Sequence, residues 1–275
     1  MRTHNILLAC ALMCCIGIIL VSGASAISQG EKNVESQIVN QNNILDCEEA
    51  KNQIQAFMEG KDISIEYKGT MPTPSGDMML FGSDDERYYI NSQSGSIEGA
   101  LFLRSLDNSN EVRFNAENAQ KIAEDYAKSK YRPFTQKNMQ LIRSDLLDHG
   151  DGGKEYLFVW CEIVNGALTP NYVSISINPN TGEVISYIGI ERALNVDLDP
   201  EISREDAIKT AIAQFKEIKV SNVDTQLAVI YVDQNEQCLA WVVTIDGKES
   251  DSTTQGGTVL VDAMSGKVVQ VDPYL

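Results

Sequence analysis

Near its C-terminus the chain reads Leu260-Val261-Asp262-Ala263-Met264-Ser265-Gly266-Lys267-Val268, which is an apolar strand end, a turn and the start of a second strand. The same pattern occurs twice earlier, at residues 89–97 and 176–184. In each copy Gly follows four residues after an Asn or Asp, giving the pairs Asn91 and Gly95, Asn178 and Gly182, and Asp262 and Gly266. The Asn or Asp side chain can accept bonds from turn amides, and Gly supplies the positive φ that closes a hairpin. We interpret these six residues as structural turn markers.

An amphipathic helix pattern precedes each turn. The turn glycines lie 87 residues apart (95 to 182) and then 84 apart (182 to 266), a period that suits small α+β units. Each helix is predicted to begin after a polar N-cap residue, which is Asp46, Asn115 or Ser203. When the caps are superposed, small or apolar residues align at two helix positions: Ala50, Ala119 and Ala207, then Ile54, Ala123 and Ala211. We therefore expect each helix to sit close against a sheet.

Further strands are predicted between helix and turn in the second and third units, at residues 139–147, 155–164, 225–233 and 238–245. The inner strands align the two tryptophans of the sequence, Trp160 and Trp241, at equivalent positions. We interpret both as core side chains that a helix covers. The first unit lacks a tryptophan, and the loop at residues 71–76 interrupts its strands, so it is a degenerate unit that could pack as part of the second domain.

Three segments of the third unit carry a family resemblance: Ile202–Ala207 opening a helix, Leu239–Val243 in a central strand and Gly257–Val268 at the close. Together they resemble the PepSY domain. The resemblance implies an α+β fold of tandem modules, each with one helix packed on an antiparallel β-sheet (PepSY/cystatin-like), similar to the pro-segment region of thermolysin-type peptidases. It also implies a module without catalytic residues, whose proposed role is to inhibit or modulate peptidases.

The sequence divides into five predicted segments. They are residues 1–26 (signal peptide or N-terminal anchor), 27–45 (polar tether), 46–105 (degenerate PepSY-like unit), 114–192 (PepSY-like domain) and 200–275 (PepSY domain). The resemblance is good over residues 200–275, fair over 114–192 and poor over 46–105.

The N-terminus has the plan of a signal peptide. Arg2 precedes an apolar run from Ile6 to Val21, shorter than the roughly 20 residues of a spanning helix, and Ala24-Ser25-Ala26 offers a cleavage site. We predict cleavage after Ala26; an uncleaved anchor and a lipid-modified Cys10 are the alternatives. The expected location is extracytoplasmic, secreted or tethered to the membrane by the N-terminal segment.

The formal net charge of −17 limits the class of partner. The negative electrostatic potential of such a chain repels nucleic acid and anionic lipid headgroups. We therefore expect no nucleic-acid partner, and membrane contact only through an uncleaved N-terminal segment. The acidic residues either keep an exported protein soluble or favour a cationic partner.

No motif in the sequence indicates catalysis. There is no H-E-x-x-H, G-x-S-x-G, Walker loop or dinucleotide fingerprint. Beyond the leader the chain has Cys47, Cys161, Cys238 and a single histidine, His149. A Cys161–Cys238 bridge stays open, whereas a dyad of either of these two cysteines with His149, or a calcium site at Asp145, Asp148 and Asp151, is less favoured than buried thiols and a solvated loop. We predict no catalytic, cofactor-binding or metal-binding residues.

These observations predict an exported, non-catalytic binding module that inhibits or modulates an extracytoplasmic peptidase. The alternative is a structural or stress-related cell-envelope protein without a peptidase target, and an undetected hydrolase is a remote third. Strand addition to a sheet edge is a plausible mode of contact, because it needs no dedicated motif.

Overall fold

The computed structural model describes residues 45–61, 63–73, 76–106, 110–215, 219–233, 236–247 and 256–274. The predicted signal peptide and all of the predicted tether before residue 45 lie outside these residues. Within them the element order is one α-helix followed by four strands, three times over. The helices are α1 (Cys47–Phe57), α2 (Ala116–Lys130) and α3 (Arg204–Ile212), with short 3-10 turns at Leu103–Ser105, Arg132–Thr135 and Gly150–Gly152.

Twelve strands lie in the described residues. They are β1 (Glu66–Thr73), β2 (Gly76–Gly82), β3 (Glu86–Asn91), β4 (Ile97–Phe102), β5 (Met139–Asp148), β6 (Lys154–Val164), β7 (Ala167–Ile177), β8 (Val184–Ile190), β9 (Val220–Asp233), β10 (Glu236–Gly247), β11 (Gly256–Asp262) and β12 (Val268–Pro273). Consecutive strands within each group of four pair antiparallel.

The first two groups of strands form one continuous sheet. β4 pairs antiparallel with β8, so the strand order is β1-β2-β3-β4-β8-β7-β6-β5. Among the described residues, the third group, β9 to β12, joins this sheet only through a parallel bridge between Leu168 of β7 and Ala228 of β9. Most of the contact between the third group and the rest is therefore made through side chains.

The three helices begin at the predicted N-caps. The side chains of Asp46 and Asn115 each accept a backbone N–H three residues on, at 2.8 Å. Ser203 Oγ accepts from Asp206 N at 3.1 Å and donates to the Asp206 carboxylate at 2.8 Å. These bonds satisfy amides at the helix starts that have no intrahelical partner.

One hydrophobic core lies between the eight-stranded sheet and helices α1 and α2. It contains Ala50 and Ile54 of α1 together with Ala119, Ala123 and Ala127 of α2, all fully buried. The Phe57 ring of α1 lies 5.3 Å from the Tyr187 ring of β8, between ring centroids, so the core crosses the β4–β8 junction. The first unit thus shares its core with the second.

The opposite face of β5 to β8 packs against the third group of strands. Val159, Cys161 and Tyr172 meet Ala240, Val242 and Leu260 in a second core. Helix α3 covers the far face of the third group through Ala207 and Ala211, which are fully buried. The layers therefore run helix, sheet, sheet, helix. The predicted α+β class with helices on an antiparallel sheet is confirmed, whereas separate tandem modules with one helix each are not, because the cores are shared.

Candidate functional site

The same hydrogen bonds form at all three turns. The side-chain Oδ1 accepts from the amides two and three residues ahead, at 3.0 and 3.0 Å for Asn91, 2.8 and 3.1 Å for Asn178, and 2.9 and 2.6 Å for Asp262. The glycines have φ values of +71° at Gly95, +76° at Gly182 and +72° at Gly266, which favour glycine because it lacks Cβ. The three turns are therefore conformational copies of one another.

Each turn also contacts the start of its helix. The residue before the N-cap donates its backbone N–H to the carbonyl that follows the turn Asn or Asp: Leu45 to Ser92 at 3.0 Å, Phe114 to Pro179 at 2.9 Å, and Ile202 to Ala263 at 2.9 Å. The side chains of Leu45, Phe114 and Ile202 also lie against the turn glycines. At Gly182 an added Cβ would come within 2.7 Å of the Phe114 ring. We call this contact between turn and helix start the joint; it recurs in all three units.

A one-residue bulge follows each turn at the same distance. The strand pairing shifts by one residue at Glu98, Ile185 and Val269, each the third residue after its turn glycine. Such a bulge strengthens strand twist and re-aims side chains. Because turn and bulge coincide in all three units, residues of β4, β8 and β12 can be compared position by position.

The predicted equivalence of the two tryptophans is wrong. Trp241 pairs with Val261, directly before the third turn, whereas Trp160 pairs with Val173, four residues further from the second turn. The counterpart of Trp241 is Tyr156, which pairs with Ile177 directly before Asn178. An offset of four residues keeps both rings on the helix-covered face, because side chains alternate along a strand.

Tyr156 and Trp241 make the same contact with the helix start. Tyr156 Oη donates to the carbonyl of Phe114 at 3.1 Å, and Trp241 Nε1 donates to the carbonyl of Ile202 at 2.8 Å. Trp160 instead lies deep in the first core, 4% exposed, with the Phe134 ring at 5.5 Å. A signal for this existed in the sequence: Tyr156 and Trp241 are both aromatic residues with a polar donor at similar distances before the turns.

The histidine and cysteine side chains considered for catalysis lie apart. His149 Nε2 is 3.2 Å from Glu155 Oε1 at the start of β6, and Cys161 is about 20 Å further along that strand by its rise per residue. Cys161 Sγ donates to the Thr169 carbonyl at 3.2 Å, and Cys238 Sγ donates to Asp262 Oδ2 at 3.3 Å, so no disulfide joins them. Burial and the Asp262 carboxylate raise the pKa of the Cys238 thiol to about 12, which suppresses its thiolate.

Two of the three carboxylates considered for calcium bind groups of the chain itself. Asp148 accepts the Gly150 N–H at 2.9 Å and lies 3.5 Å from Lys154 Nζ, and the Gly150 amide is the main cause that lowers its pKa. Asp145 accepts from Arg143 Nε at 2.6 Å. Among the described residues no three His, Cys, Asp or Glu side chains converge as metal ligands would.

An open cleft of about 430 Å³ lies beside the turn between β2 and β3. Its walls include Asp85 and Glu66, which form ion pairs with Arg104 and with Lys68. The hydrogen bond from Arg104 lowers the pKa of Asp85. Asp85 and Glu66 are thus paired with cations of the chain itself.

A buried polar network joins the first two groups of strands. β7 is buried at every position, although its sequence includes Thr169 and Asn171. Both donate to Glu162 Oε2, at 3.1 and 2.6 Å, where the β6–β7 pairing is interrupted. Arg192, after β8, forms two hydrogen bonds of 2.7 Å with the carboxylate of Glu98, whose residue is 3% exposed. Sequence reasoning missed this network, since its residues come from distant segments.

Two of the sheet edges differ in how they face solvent. β1 carries Lys68, Pro72 and a bulge between Tyr67 and Gly69, which are features that block pairing with another chain. β5 is ten residues long, and its side chains Leu141 and Leu146 are 38% and 43% exposed. These two residues lie opposite Trp160 and Tyr156 and so share the helix-covered face. β5 is therefore an edge strand with exposed apolar side chains.

Residues 201–272 match the family described as "Peptidase propeptide and YPEB domain", PepSY. These residues form a PepSY domain. The match extends from the α3 N-cap region through β12 as far as Asp272. The resemblance inferred for residues 200–275 is thereby confirmed, and PepSY modules at residues 46–105 and 114–192 stay predictions.

Two solved structures are similar to this chain over most of its length. The C-terminal domain of YpeB from Bacillus megaterium is 16% identical with a TM-score of 0.46, covering 85% of this chain and 100% of that one. A protein from Eubacterium rectale is 12% identical with a TM-score of 0.45, covering 82% of each chain. No curated protein matches the chain in sequence.

The PepSY domain ends in β12, whose only partner among the described strands is β11. From Val269 to Pro273 every residue of β12 is exposed. The exposed edges of β5 and β12 are therefore the candidate functional surfaces.

In the part of the chain that the structure describes, no helix has the length and apolarity to cross a membrane.

Proposed function

We infer that the chain is an exported, non-catalytic binding protein that captures an extended segment of an envelope protein, and that this partner is a peptidase. The observation that carries the proposal is the PepSY match at residues 201–272, a family whose description names peptidase propeptides. The leader pattern at residues 1–26 supports export, and mass spectrometry of the secreted protein is expected to find an N-terminus at Ile27. An intact leader would instead favour a membrane anchor.

The β5 edge supports binding by strand addition. An extended segment beside β5 would gain main-chain hydrogen bonds, while Leu141 and Leu146 would pack against apolar side chains at alternate positions. The net charge of −17 favours a segment with basic residues next to the apolar ones.

The test is an inhibition assay with a thermolysin-type peptidase and the exported chain, followed by cross-linking to envelope proteins. We expect inhibition in the wild type and at least about a tenfold loss in a Leu141→Lys, Leu146→Lys double variant, because buried lysines would be left without partners. The matched control is Val112→Lys, which changes a side chain of 43% exposure that lies outside the strands.

Two results would contradict the proposal. Lack of inhibition together with lack of a cross-linked peptidase would favour the structural envelope role. Equal inhibition by the wild type and the β5 double variant would remove β5 as the contact.

A further inference from the structure

β12 is the third copy of a strand whose other two copies pair with each other. β4, β8 and β12 each follow a turn marker and carry a bulge at the third residue after the turn glycine. β4 and β8 form an antiparallel ladder with each other, whereas the outer edge of β12 has no strand beside it among the described residues.

The β4–β8 ladder is symmetric about one position. Ala100 pairs with Tyr187, and each is the fifth residue after its turn glycine. The flanking pairs, Gly99 with Ile188 and Leu101 with Ser186, join the fourth residue of one strand to the sixth of the other. Such a ladder has local two-fold symmetry, so two identical strands could adopt it equally well.

Positions that are buried in β4 and β8 are apolar and exposed in β12. Ala100 and Tyr187 are 3% and 2% exposed, and their counterpart Val271 is 37% exposed. At the bulge, Glu98 and Ile185 are 3% and 4% exposed, and Val269 is 37% exposed. At these positions β12 therefore has apolar side chains, as a buried strand would, but they are exposed to solvent.

The backbone groups of β12 are also oriented for pairing. Tyr274 N donates to Gly256 O at 2.9 Å, as its counterpart Leu103 N donates to Asp85 O at 2.7 Å. Amide groups point to alternate sides along an antiparallel strand, so Val271, three residues before Tyr274, directs its N–H and C=O away from β11. Its counterpart Ala100 directs the same groups toward β8.

We propose that β12 pairs antiparallel with β12 of a second copy of the chain, with Val271 opposite Val271 on the two-fold axis. The pairing reproduces between two molecules the ladder that β4 and β8 form within one. Gln270 then lies opposite Asp272 of the second copy, and an amide beside a carboxylate is a favourable cross-strand pair. A single pair of short strands buries far less than the roughly 1,200 Å² of a stable interface, so the dimer dissociates in the micromolar range or above.

The first test is sedimentation equilibrium of the full exported chain across a wide concentration range. We expect reversible dimerisation in the wild type and at least about a tenfold weaker association in Val271→Lys, since two ammonium groups would meet on the axis. Val112→Lys is the matched control, because it changes a side chain of similar exposure, 43% against 37%, that lies outside the strands. It should dimerise as the wild type does.

The second test fixes the register. In the proposed pair the two Val271 Cα atoms are about 5.5 Å apart, within the span of a disulfide. Val271→Cys should therefore cross-link on mild oxidation at least about ten times more than Asp272→Cys, whose sulfurs are too far apart in this register. The wild type, which contains Cys47, Cys161 and Cys238, gives the background.

A wild type that stays monomeric at all concentrations would overturn the proposal, as would a dimer that Val271→Lys does not weaken. Equal cross-linking of both cysteine variants would overturn the register. The outcome is independent of the proposed peptidase binding, because that assay depends on Leu141 and Leu146 and this one on Val271.

Discussion

Single residues at the three joints decide how each helix meets its sheet. Gly182 combines a φ of +76° with a ring of Phe114 packed directly on it, whereas Gly150 has a φ of +64° and nothing within 4 Å of an added Cβ. Substitution of the two glycines therefore distinguishes the cost of backbone strain from the cost of a steric clash.

We expect Gly182→Ala to destabilise the protein more than Gly150→Ala. The positive φ costs about 1–2 kcal/mol in both variants, and displacing Phe114 adds ~1–3 kcal/mol in the first alone. Urea unfolding of the two variants measures the difference in free energy of unfolding. Equal losses would mean that the Phe114 ring moves aside at no cost.

Asp262 makes stability depend on pH at the third turn. Burial raises the pKa of its carboxyl, but hydrogen bonds from Ser265, Cys238 and Met264 outweigh burial and hold the pKa below the ordinary value. A depressed pKa contributes stability that is present above the unfolded value of about 3.8 and is lost as the pH falls through the folded value.

Asp262→Asn is therefore expected to lower stability slightly at neutral pH and to reduce the loss of stability on acidification below about pH 4. The amide keeps the turn bonds, as Asn91 and Asn178 do in the other two units. Thermal unfolding across the acidic range measures both effects. An acid response identical to that of the wild type would contradict the assignment.

At the scale of elements, the two tryptophans belong to different cores. Trp160 packs between the eight-stranded sheet and α2, and Trp241 packs near α3. We expect Trp160→Ala to lower the free energy of unfolding by about 3–5 kcal/mol. Trp241→Ala should lower it less, because that ring is only half-buried. The double variant should lose the sum of the two single losses within ~0.5 kcal/mol. Denaturant unfolding measures all three. A larger coupling would mean that the two cores respond as one.

The ion pair of Glu98 and Arg192 ties β4 to the end of β8. Glu98 stands at the bulge position that Ile185 and Val269 occupy in the other units, so a charged side chain replaces an apolar one there. Removing one partner leaves the other charge buried, and Arg192→Met or Glu98→Ile alone should cost about 3–5 kcal/mol.

The double variant Glu98→Ile, Arg192→Met should be more stable than either single variant, because neither charge is left without its partner. A double-mutant cycle of unfolding free energies measures this. Losses that simply add would show that the two charges do not interact.

At the scale of the whole molecule, the third group of strands is covered on both faces. Helix α3 covers one face, and β5 to β8 cover the other, where Val242 is 4% exposed. An isolated fragment of residues 200–275 would keep the core beneath α3 and lose the contacts with β5 to β8.

We expect this fragment to unfold cooperatively but at a lower urea concentration than the full chain. Val242→Thr should cost about 1–3 kcal/mol in the full chain, where the hydroxyl is buried, and close to nothing in the fragment, where it is solvated. Equal costs in both would mean that the fragment buries this face by another route. Absence of a cooperative transition would mean that the units share one cooperative core.

The sequence by itself determined the features that depend on neighbouring residues. The helix starts at Asp46, Asn115 and Ser203 and the turns at Gly95, Gly182 and Gly266 follow from local hydrogen bonding and glycine conformation. The PepSY resemblance of the last unit is also local, because one helix, four strands and their joint lie in consecutive residues.

Only the tertiary structure decided how the units meet. The β4–β8 ladder, the packing of Val159 against Val242 and the ion pair of Glu98 with Arg192 join segments far apart in the chain, and no local pattern encodes their register. The tryptophan alignment failed for this reason: distances counted along the chain pass through loops of different length, whereas pairing between strands fixes which residues share a position.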